Sequence, residues 1–562
     1  MNKICGIFNL GHNGLNKIIE QKEINPTYLS EHFLVVADRI SDTERNYQKH
    51  ICDAKIGVVI TFIGELKNFR ELCESYGLKV KSDVELLLEL YRTRKDRFIE
   101  ELNGLFTLVI YDSKAHELLI CQDIFSSPLN LYYCVSNDNF FFSTSLKQLL
   151  LWSSIERELN DESIFNFLSK KCIPSEQTLI KNVYKLLPGQ RLRISRKHNA
   201  PKIEFIPYRS EKKWDRKYCV RNYYNIVERC VQRTIDSLNH VNIALSSGYD
   251  SNFLLYTIRN LTDQQIKAFT IGGREGRDER KNVILASKVY QNIKHIQQVV
   301  DEKTFKNIPE IVWRQEDLVH LPSNFVKLQL ANLAEQEGCK TLICGDCCDE
   351  ILGVGWTDKV PIKIKVRDFA RSFSFVRKIY CFIKKGQVHF SQFDCAYNTF
   401  KPKTRGFELG YFRILKHAGI MMNSFSIEPR FPYLDKEFVD CASKLQSLNK
   451  KSKRWHHKFI RNILPAAAIG AIQHLGGSID ESFMFKAYMN AICHKFKESD
   501  IAKKYIGSNL VEEIHSEPMR YMDLILETLY LDIFQDIFIS GDYDRTFKES
   551  KFDTELEQFL NK

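Results

Sequence analysis

Two short polar stretches of the sequence place small residues and acids where an apolar run ends. Residues 244–251 read ALSSGYDS after VNI, and residues 345–350 read GDCCDE after KTLIC. Serine and glycine between a strand and a helix expose successive backbone N–H groups, and the helix N-terminus adds a partial positive charge. We therefore expect an anion site, whose candidate nucleotide-binding residues are Ser246, Ser247, Gly248, Tyr249, Asp250, Ser251 and Gly345.

One acid in the first stretch, Asp250, limits the kinds of anion site that the loop could form. A bare phosphate would be repelled by Asp250, so its presence predicts an intervening Mg²⁺, with Asp349 of the second stretch as the partner ligand. The GxxxxGK[ST] phosphate loop is absent, which argues against a P-loop NTPase. A capped turn with Asp250 as the helix N-cap explains the same loop equally well, so the loop alone leaves both interpretations open.

The first part of the chain is rich in predicted strands. Residues 56–64, 105–112, 117–123 and 129–135 are short runs of β-branched, aromatic and other apolar side chains. Between them, SDVELLLELYRTR begins with a capping box of Ser82 and Glu85, which predicts a helix. Residues 187–205 contain Pro-Gly and Asn-Ala-Pro breaks that are typical of a closing hairpin and linker.

From about residue 215 the pattern changes to strand, loop and helix in repetition. This order predicts an α/β doubly wound, mostly parallel sheet, and the chain beyond about residue 400 is expected to be helical. Ligands of such sheets bind beyond the carboxyl ends of the strands, where both polar stretches are expected to lie. We therefore divide the chain into domains at 1–208 and 209–562.

Composition sets limits on the class of protein. The chain has 562 residues, a formal net charge of +11 and 16 cysteines at irregular spacing. Its length requires two or more domains, and no paired CxxC set indicates a zinc site. KKSKR at 450–454 is the densest basic run, and we interpret it as solvated or phosphate-facing. The absence of a leader or a long apolar run predicts a cytoplasmic protein without membrane or nucleic-acid partners.

Several motifs give the chain a resemblance to the asparagine synthetase superfamily. The loop at 246–251 resembles the SGGxDS motif of N-type ATP pyrophosphatases, with Ser247 in place of the first glycine, and GDCCDE resembles SGxGxDE. SIEPRFPYLD (426–435) is similar to ExRxPFLD, and HKFIRNILP (457–465) is similar to the KxxLR segment. The first half resembles a class II glutamine amidotransferase domain, through MNKICGIF and TFIGELKNFREL.

The resemblance implies a fold and a reaction. It implies an N-terminal α+β sandwich of the αββα Ntn type, followed by an adenine nucleotide α-hydrolase-like domain. Enzymes of this family use ATP and Mg²⁺ to adenylate a carboxylate, release pyrophosphate and let an amine or ammonia form an amide. The expected substrate is thus a small-molecule or peptide carboxylate with an amine nucleophile, and the oligomeric state stays open.

Further site residues follow from the same resemblance. Thr270, Ile271 and Gly272 at a strand end would read the adenine edge, and Lys458 would stabilise negative charge on the phosphates or the tetrahedral intermediate. Glu428, two residues from Arg430, would lie close to the acyl-adenylate, and Asp346 stands where asparagine synthetases carry a glutamate. Asp278 and Glu279 match an acidic pair of the family, although solvated helix residues are the simpler interpretation. Cys347 and Cys348 are interpreted as small loop fillers.

The glutaminase machinery of the first half departs from the family pattern. A class II glutaminase uses an N-terminal cysteine whose own amine acts as base, so Cys5 could serve only if MNKI were removed. Ile63 replaces the asparagine expected to donate to the oxyanion, and the arginine segment that would hold glutamine has no convincing counterpart. We expect a glutaminase half that is retained as a scaffold. The amine would then come from a substrate, as in β-lactam synthetases and lasso-peptide cyclases.

Other interpretations remain open at this stage. Within the same class, the chain could be a glutamine-hydrolysing asparagine synthase. A tRNA thiolase or lysidine-type enzyme also uses SGGxDS loops, but the amidotransferase-like first half argues against it. A nucleotide-binding pseudoenzyme is compatible with the departures at Ser247 and Cys348.

Overall fold

The structure, a computed structural model, describes most of both halves of the chain. The described residues are 4–11, 15–22, 24–37, 50–125, 129–173, 175–208, 214–273, 280, 283, 288–352, 417–445, 451–472 and 481–541. The predicted acidic pair Asp278 and Glu279 and most of the helix expected near 278–291 lie outside them.

The described residues of the first half form twelve strands in two antiparallel sheets. The strands are β1 (Ile4–Asn9), β2 (Tyr28–Leu29), β3 (Phe33–Ala37), β4 (His50–Asp53), β5 (Val58–Leu66), β6 (Gly104–Asp112), β7 (Glu117–Gln122), β8 (Leu131–Ser136), β9 (Asn139–Ser143), β10 (Tyr184–Leu186), β11 (Gln190–Ser195) and β12 (His198–Phe205). One sheet has the order β10-β8-β9-β1-β3-β2 and the other β12-β11-β7-β6-β5-β4. The runs predicted as strands at 56–64, 105–112, 117–123 and 129–135 are confirmed as β5 to β8.

The two antiparallel sheets pack face to face. A buried apolar cluster joins side chains of both sheets, and within it the rings of Phe33 and Tyr111 stack with centroids 4.6 Å apart. The helix Asp83–Arg94 packs on the outer face of β5, and the helix Leu146–Ser153 packs on β8 and β9. Ser82 and Glu85 form the predicted capping box. The expected αββα sandwich is confirmed.

The second half is built on a parallel sheet of five strands. These are β13 (Val241–Ala244), β14 (Ile266–Gly273), β15 (Ile293–Val300), β16 (Thr341–Ile343) and β17 (Glu428–Arg430), in the order β15-β14-β13-β16-β17. All four pairings are parallel, as the alternation of strands and helices predicts. The chain runs from β13 to one side through β14 and β15, and then to the other side through β16. The switch point therefore lies between β13 and β16.

Helices account for most of the remaining described chain. In the first half they are Asn16–Lys22, Phe69–Tyr76, Asp83–Arg94, Leu146–Ser153 and Asp161–Lys170. Around the parallel sheet they are Arg216–Arg221, Tyr223–Ile235, Tyr249–Leu261, Ile308–Gln315, Ser323–Gln336 and Cys348–Ile351. The later helices are Lys436–Leu445, Lys451–Ile463, Ala466–Ala471, Glu481–Glu498, Ser508–Ser516 and Met522–Phe534. Among the described residues, no helix combines the length and apolarity needed to cross a bilayer.

Buried ion pairs connect the two halves. Lys185 and Asp317 are each 1% exposed and lie 2.8 Å apart, and Lys147 contacts Glu316 at 3.0 Å. Lys67 of the first half donates to the backbone oxygen of Phe431 at 2.7 Å. Because removing one partner of a buried pair leaves an uncompensated charge, these contacts hold the halves in one arrangement.

Candidate active site

The two polar loops predicted from the sequence lie side by side at one edge of the parallel sheet. β13 pairs with β16 at Ile243 and Ile343, so the loops that follow these strands leave the sheet together. A Cβ on Gly345 would lie 3.3 Å from the backbone nitrogen of Ser251, which is tighter than an ordinary contact. The lack of a side chain at Gly345 therefore allows the loops to approach closely.

The first loop is held by its own hydroxyls and by one amide. Ser251 Oγ lies 3.0 Å from Ser246 Oγ and accepts from the Ser246 N–H at 3.2 Å. The amide of Asn252 donates to the backbone oxygens of Ser246 at 3.0 Å and Gly248 at 2.7 Å. The loop leads into the helix Tyr249–Leu261, which has Gly248 as its N-cap. Asp250 is consequently in the first helical turn and is not the N-cap residue.

A helix from the C-terminal part of the chain places a lysine and a histidine on Asp250. This helix, Lys451–Ile463, is called the basic helix below. Lys453 Nζ donates to both carboxylate oxygens of Asp250 at 2.7 Å and also forms an ion pair with Asp349. His456 Nε2 lies 2.9 Å from Asp250 Oδ1. The two predicted metal ligands, Asp250 and Asp349, therefore converge on one point, and a lysine ammonium occupies it.

The electrostatics of this cluster favour a charged carboxylate and a neutral imidazole. Burial alone would raise the pKa of Asp250, but Lys453 and His456 outweigh it and hold that pKa well below its usual range. Burial would lower the pKa of Lys453, yet the Asp250 carboxylate raises it. For His456, burial has the largest effect and lowers the pKa. Hence Lys453 and Asp250 are both ionised, and His456 is neutral near pH 7.

The structure brings Lys453 to the loop in place of Lys458. Lys458 is exposed, and its position two residues after His456 turns it to another side of the basic helix. Lys453, His456 and His457 follow an i, i+3, i+4 spacing and share one face. If the KxxLR motif is aligned so that its lysine falls on Lys453, His456 and His457 stand where the motif has leucine and arginine. This helical spacing was the sequence signal that could have identified Lys453.

The proposed adenine-reading residues extend past the neighbouring strand. β13 pairs with β14 only as far as Ala244 and Phe269, so Thr270, Ile271 and Gly272 project beyond the end of β13. The hydroxyl of Thr270 donates to the backbone oxygen of Leu245 at 2.8 Å. These residues thus lie at the same edge of the sheet as the first loop. The side of β14 that faces β13 continues here past Ala244 and Phe269, the last pair between the two strands.

The second loop departs from its motif at a strained position. Cys347 has a φ of 76°, in the left-handed region that glycine adopts most easily, and the SGxGxDE motif has glycine there. Asp346 accepts from Lys327 Nζ at 2.9 and 2.8 Å, a partner that sequence reasoning missed. Burial, followed by the charge of Asp349, raises the pKa of Glu350 to about 8. The loop therefore contains two ion-paired acids, Asp346 and Asp349, and one acid, Glu350, that is mostly protonated at neutral pH.

A buried charge chain connects Glu428 with the first half. Glu428, on β17, lies 3.0 Å from Arg430, and the other side of that guanidinium lies 2.9 Å from Glu65 of β5. Arg430 is 1% exposed. Tyr433, in the same segment, donates its hydroxyl to the backbone oxygen of Asp250 at 3.1 Å. The segment 426–435 therefore contacts both Asp250, next to the first loop, and Glu65 in the first half of the chain.

Cys5 lies inside a strand of the first sheet. It pairs with Val36 and Ser143, is 3% exposed, and has its Sγ 3.0 Å from Ser143 Oγ. Ile63, in place of the expected oxyanion donor, is 2% exposed and packs in the apolar cluster between the sheets. The side chain at position 63 therefore supplies packing and no hydrogen bond.

Comparisons with known proteins agree with this two-part architecture. Residues 27–205 match the glutamine amidotransferase domain family, and residues 222–364 match the asparagine synthase family. Asparagine synthetase (glutamine-hydrolysing) 1 of Bacillus subtilis is 26% identical over 317 residues, which cover 54% of this chain and 49% of that protein. Amidase chry2 of Gibberella zeae is 24% identical over 340 residues, with 54% and 48% covered. The chain spans about half the length of these curated relatives.

A solved structure with some likeness is the glutamine phosphoribosylpyrophosphate amidotransferase of Bacillus subtilis in complex with ADP and GMP. It covers 61% of this chain and 81% of that chain at 9% identity, with a TM-score of 0.25, too low to support an argument. The family assignment depends on the matched domains and their order. With a match to the glutamine amidotransferase domain followed by a match to the asparagine synthase domain, and with asparagine synthetases among the relatives, the comparisons support the asparagine synthetase superfamily.

Proposed function

We propose that the protein is an ATP-dependent carbon–nitrogen ligase that adenylates a substrate carboxylate, releases pyrophosphate and lets an amine attack the acyl-adenylate. The observation that carries this proposal is the convergence of both loops and the basic helix at the switch point of the parallel sheet. Asp250, Asp349 and Lys453 meet there within ion-pair distance. This edge is where doubly wound sheets bind nucleotides.

The chain's own residues supply the phosphate chemistry. The first loop leads directly into the helix Tyr249–Leu261, whose N-terminus stabilises an anion through the peptide dipoles. Lys453 is the buried cation at this point, and on nucleotide binding its ammonium would donate to a phosphate oxygen. Charge that develops on the leaving pyrophosphate would be stabilised by this preorganised donor, whose side chain is 9% exposed.

The carboxylates of this site fit a magnesium ion. Asp250 and Asp349 reach the same cation position, and carboxylate oxygens are the ligands that Mg²⁺ prefers. In the nucleotide complex these two side chains would hold the ion. The bound ion would supply neutralisation of phosphate charge.

The first half would act as a scaffold without glutaminase activity. With Ile4 preceding it in β1, Cys5 has an amide nitrogen and lacks the free amine that a glutaminase of this type uses as base. The apolar side chain of Ile63 offers no donor to an oxyanion. The amine would then come from the substrate itself, in an intermolecular ligation or a cyclisation.

Pyrophosphate release tests the ligase proposal. The full-length protein is incubated with ATP, Mg²⁺ and a panel of amino acids and short peptides, and AMP and pyrophosphate are measured. Asp250→Asn should lower pyrophosphate release by about 100-fold or more, because it removes the carboxylate that pairs with Lys453 and would bind Mg²⁺. Asp263→Asn is the matched control, since Asp263 is fully exposed and forms a surface ion pair at 3.7 Å. Equal turnover of wild type and Asp250→Asn would refute the proposal.

A second candidate is a glutamine-hydrolysing asparagine synthase. It is favoured by the likeness to the asparagine synthetase of Bacillus subtilis, which is a glutamine-hydrolysing enzyme by its name. Glutamate released from glutamine, with aspartate as the acyl substrate and loss of the activity in Cys5→Ala, would support this candidate. Pyrophosphate release that is independent of glutamine and unchanged in Cys5→Ala would support the scaffold role of the first half.

A further inference from the structure

Three side chains of different chemical types meet beside the first loop. Asp250, Cys348 and His456 each direct one donor atom to a common point, and these atoms all lie within 4.8 Å of one another. Cys348 is 1% exposed, and His456 is fully buried. They come from three separate segments, namely the helix after β13, the second loop and the basic helix. This meeting point shares Asp250 with the carboxylate pair of Asp250 and Asp349, but its other two donors are a sulfur and a nitrogen.

The distances match those between ligands of a tetrahedral metal ion. With a Zn–S bond of about 2.3 Å and a Zn–N bond of about 2.0 Å, two tetrahedral ligand atoms are about 3.5 Å apart. Cys348 Sγ and His456 Nε2 lie 3.6 Å apart. Asp250 Oδ1 and His456 Nε2 lie 2.9 Å apart, and this separation would open by about 0.4 Å around an ion with such bonds.

The imidazole already has the outer contact that metal-binding histidines use. Tyr223 OH lies 2.7 Å from His456 Nδ1, the nitrogen opposite the cluster. A hydrogen bond at the far nitrogen fixes the orientation and tautomer of a ligating imidazole. Because a phenol can both donate and accept, Tyr223 serves the tautomer with a proton on Nδ1, which leaves Nε2 free for a metal.

Other uses of the cluster fit the geometry less well. A Cys–His–Asp proton relay needs the thiol and the carboxylate on opposite nitrogens of the imidazole, whereas here both contact Nε2. A second set of candidate ligands, Cys230 with Asp435 and Glu437, contains carboxylates that already pair with Arg233.

We propose that Asp250, Cys348 and His456 form a binding site for one zinc ion, or another divalent ion of similar softness, with the fourth coordination position open. Thiolate, imidazole and carboxylate are the ligand types of zinc sites, and three protein ligands with one open position are typical of reactive ones. The site goes beyond the proposed ligase activity, since it uses the sulfur and nitrogen donors that Mg²⁺ disfavours.

Binding changes the protonation and the contacts of the cluster. The Sγ–H bond of Cys348 breaks, its proton leaves to solvent, and an Sγ–metal bond forms. The proton that His456 Nε2 shares with Asp250 moves to Nδ1, facing Tyr223. Lys453 loses its hydrogen bond to Asp250 Oδ1 and keeps its ion pair with Asp349. A dication replaces one proton, so the net charge of the cluster rises by one.

Metal titration of the full-length protein tests the site. The chelator-treated protein is titrated with Zn²⁺ by calorimetry and with Co²⁺ by absorption, without nucleotide. We expect one equivalent to bind, and Co²⁺ to give a thiolate charge-transfer band. Cys348→Ser should weaken Zn²⁺ binding by about 100-fold and abolish that band, and Tyr223→Phe should weaken binding by about 10-fold.

The neighbouring cysteine provides the matched control. Cys347 is equally buried but does not belong to the ligand set, so Cys347→Ser should bind Zn²⁺ as the wild type does. Thermal unfolding shows whether each variant is folded, and His456→Gln serves as a second variant if Cys348→Ser is not. No stoichiometric Zn²⁺ binding, or equal affinity in wild type, Cys348→Ser and His456→Gln, would overturn the proposal. ATP-dependent pyrophosphate release is measured separately with Mg²⁺, so failure of either proposal leaves the other testable.

Discussion

At the scale of single residues, the site is organised around the Asp250 carboxylate. Lys453, His456 and the backbone contact of Tyr433 all reach this residue, although they lie about 180 to 210 positions further along the chain. Sequence motifs identified Asp250 and Asp349 but assigned the cationic role to Lys458. A lysine-rich helix offers several candidates in one short stretch, and only its rotation about its own axis decides which of them faces the loop.

Replacing Lys453 and Lys458 in turn separates these two assignments. Lys453→Met should lower pyrophosphate release by about 100-fold, because it removes the buried cation that faces the phosphates. Lys458→Met should change the rate by less than about 2-fold, since exposed side chains away from a site contribute little. Rates measured at saturating ATP decide the question. Loss of activity in Lys458→Met alone would return the role to Lys458.

At the scale of elements, two features depend on exact backbone and helix positions. β5 and β6 approach each other so closely at Gly64, whose φ is 126°, that a Cβ would lie 2.1 Å from the backbone oxygen of Leu105. In the second half, His320 is enclosed by two late helices, with Glu481 at 3.1 Å and Glu527 at 3.6 Å. Strand pairing and helix packing thus determine which substitutions and which pH range the fold tolerates.

Gly64→Ala should strongly destabilise the first half. The clash is with backbone atoms of a paired strand, which cannot move aside as a flexible side chain would. We expect a loss of more than about 3 kcal/mol in the free energy of unfolding. Gly77→Ala is the control, because Gly77 also has a positive φ but has no atom within 4 Å of an added Cβ. It should cost about 1 kcal/mol in denaturant titration; equal losses would contradict the clash.

Stability should fall as the pH rises across the range in which His320 titrates. Burial would lower the pKa of His320, but Glu481 and Glu527 outweigh it and raise the pKa from 6.5 to about 9. The folded state therefore holds the proton more tightly, and this stabilisation is complete below about pH 6.5 and lost through about pH 9. It amounts to on the order of 3 kcal/mol.

The variant His320→Gln measures this contribution. Its melting temperature should be lower than that of the wild type at pH 6, and it should change less between pH 6 and pH 9.5. His494→Gln is the control, since His494 is 67% exposed and pairs only with Glu498 at the surface. A wild-type pH profile in His320→Gln would assign the dependence to other groups, such as Glu527, whose pKa burial raises.

At the scale of the whole molecule, the first half is built into the second. Glu65, at the glutamate position of the glutaminase-type NGE motif, pairs with Arg430, which in turn pairs with Glu428 of the candidate active site. Lys436 also donates to the backbone oxygen of Glu100 at 3.0 Å. This interface gives a physical reason for keeping the first half even without glutamine hydrolysis, because it holds the segment 426–435 in place.

Glu65→Gln tests how much this interface contributes. It leaves the buried Arg430 with one carboxylate, and we expect a loss of about 3 kcal/mol in the free energy of unfolding. Glu71→Gln is a matched control across the same two halves, since Glu71 pairs with Arg233 at 2.7 Å but is 47% exposed. It should cost less than about 1 kcal/mol. Similar losses in both variants would mean that burial of the Arg430 pair contributes little.

The sequence alone determined the class of fold and the position of the site at one edge of the parallel sheet. Short runs of β-branched, aromatic and other apolar residues predict β5 to β8, and the repeat of strand, loop and helix predicts the parallel sheet, because these local patterns follow backbone geometry. The neighbouring positions of the ALSSGYDS and GDCCDE loops also followed, since parallel strands end at the same edge of the sheet.

Tertiary structure alone decided which side chains meet at that edge of the sheet. Three of these contacts join residues that are distant in the sequence. Lys327 contacts Asp346 across 19 positions, and Lys453 contacts Asp250 across 203 positions. Arg430 contacts Glu65 of the other half across 365 positions. Local patterns such as helical spacing can group side chains on one face, but they do not encode these contacts, which depend on how helices rotate and pack against the strands. For the same reason Cys348, which the sequence suggested only as a loop filler, and His456, which no sequence motif singled out, become neighbours of one carboxylate once the chain has folded.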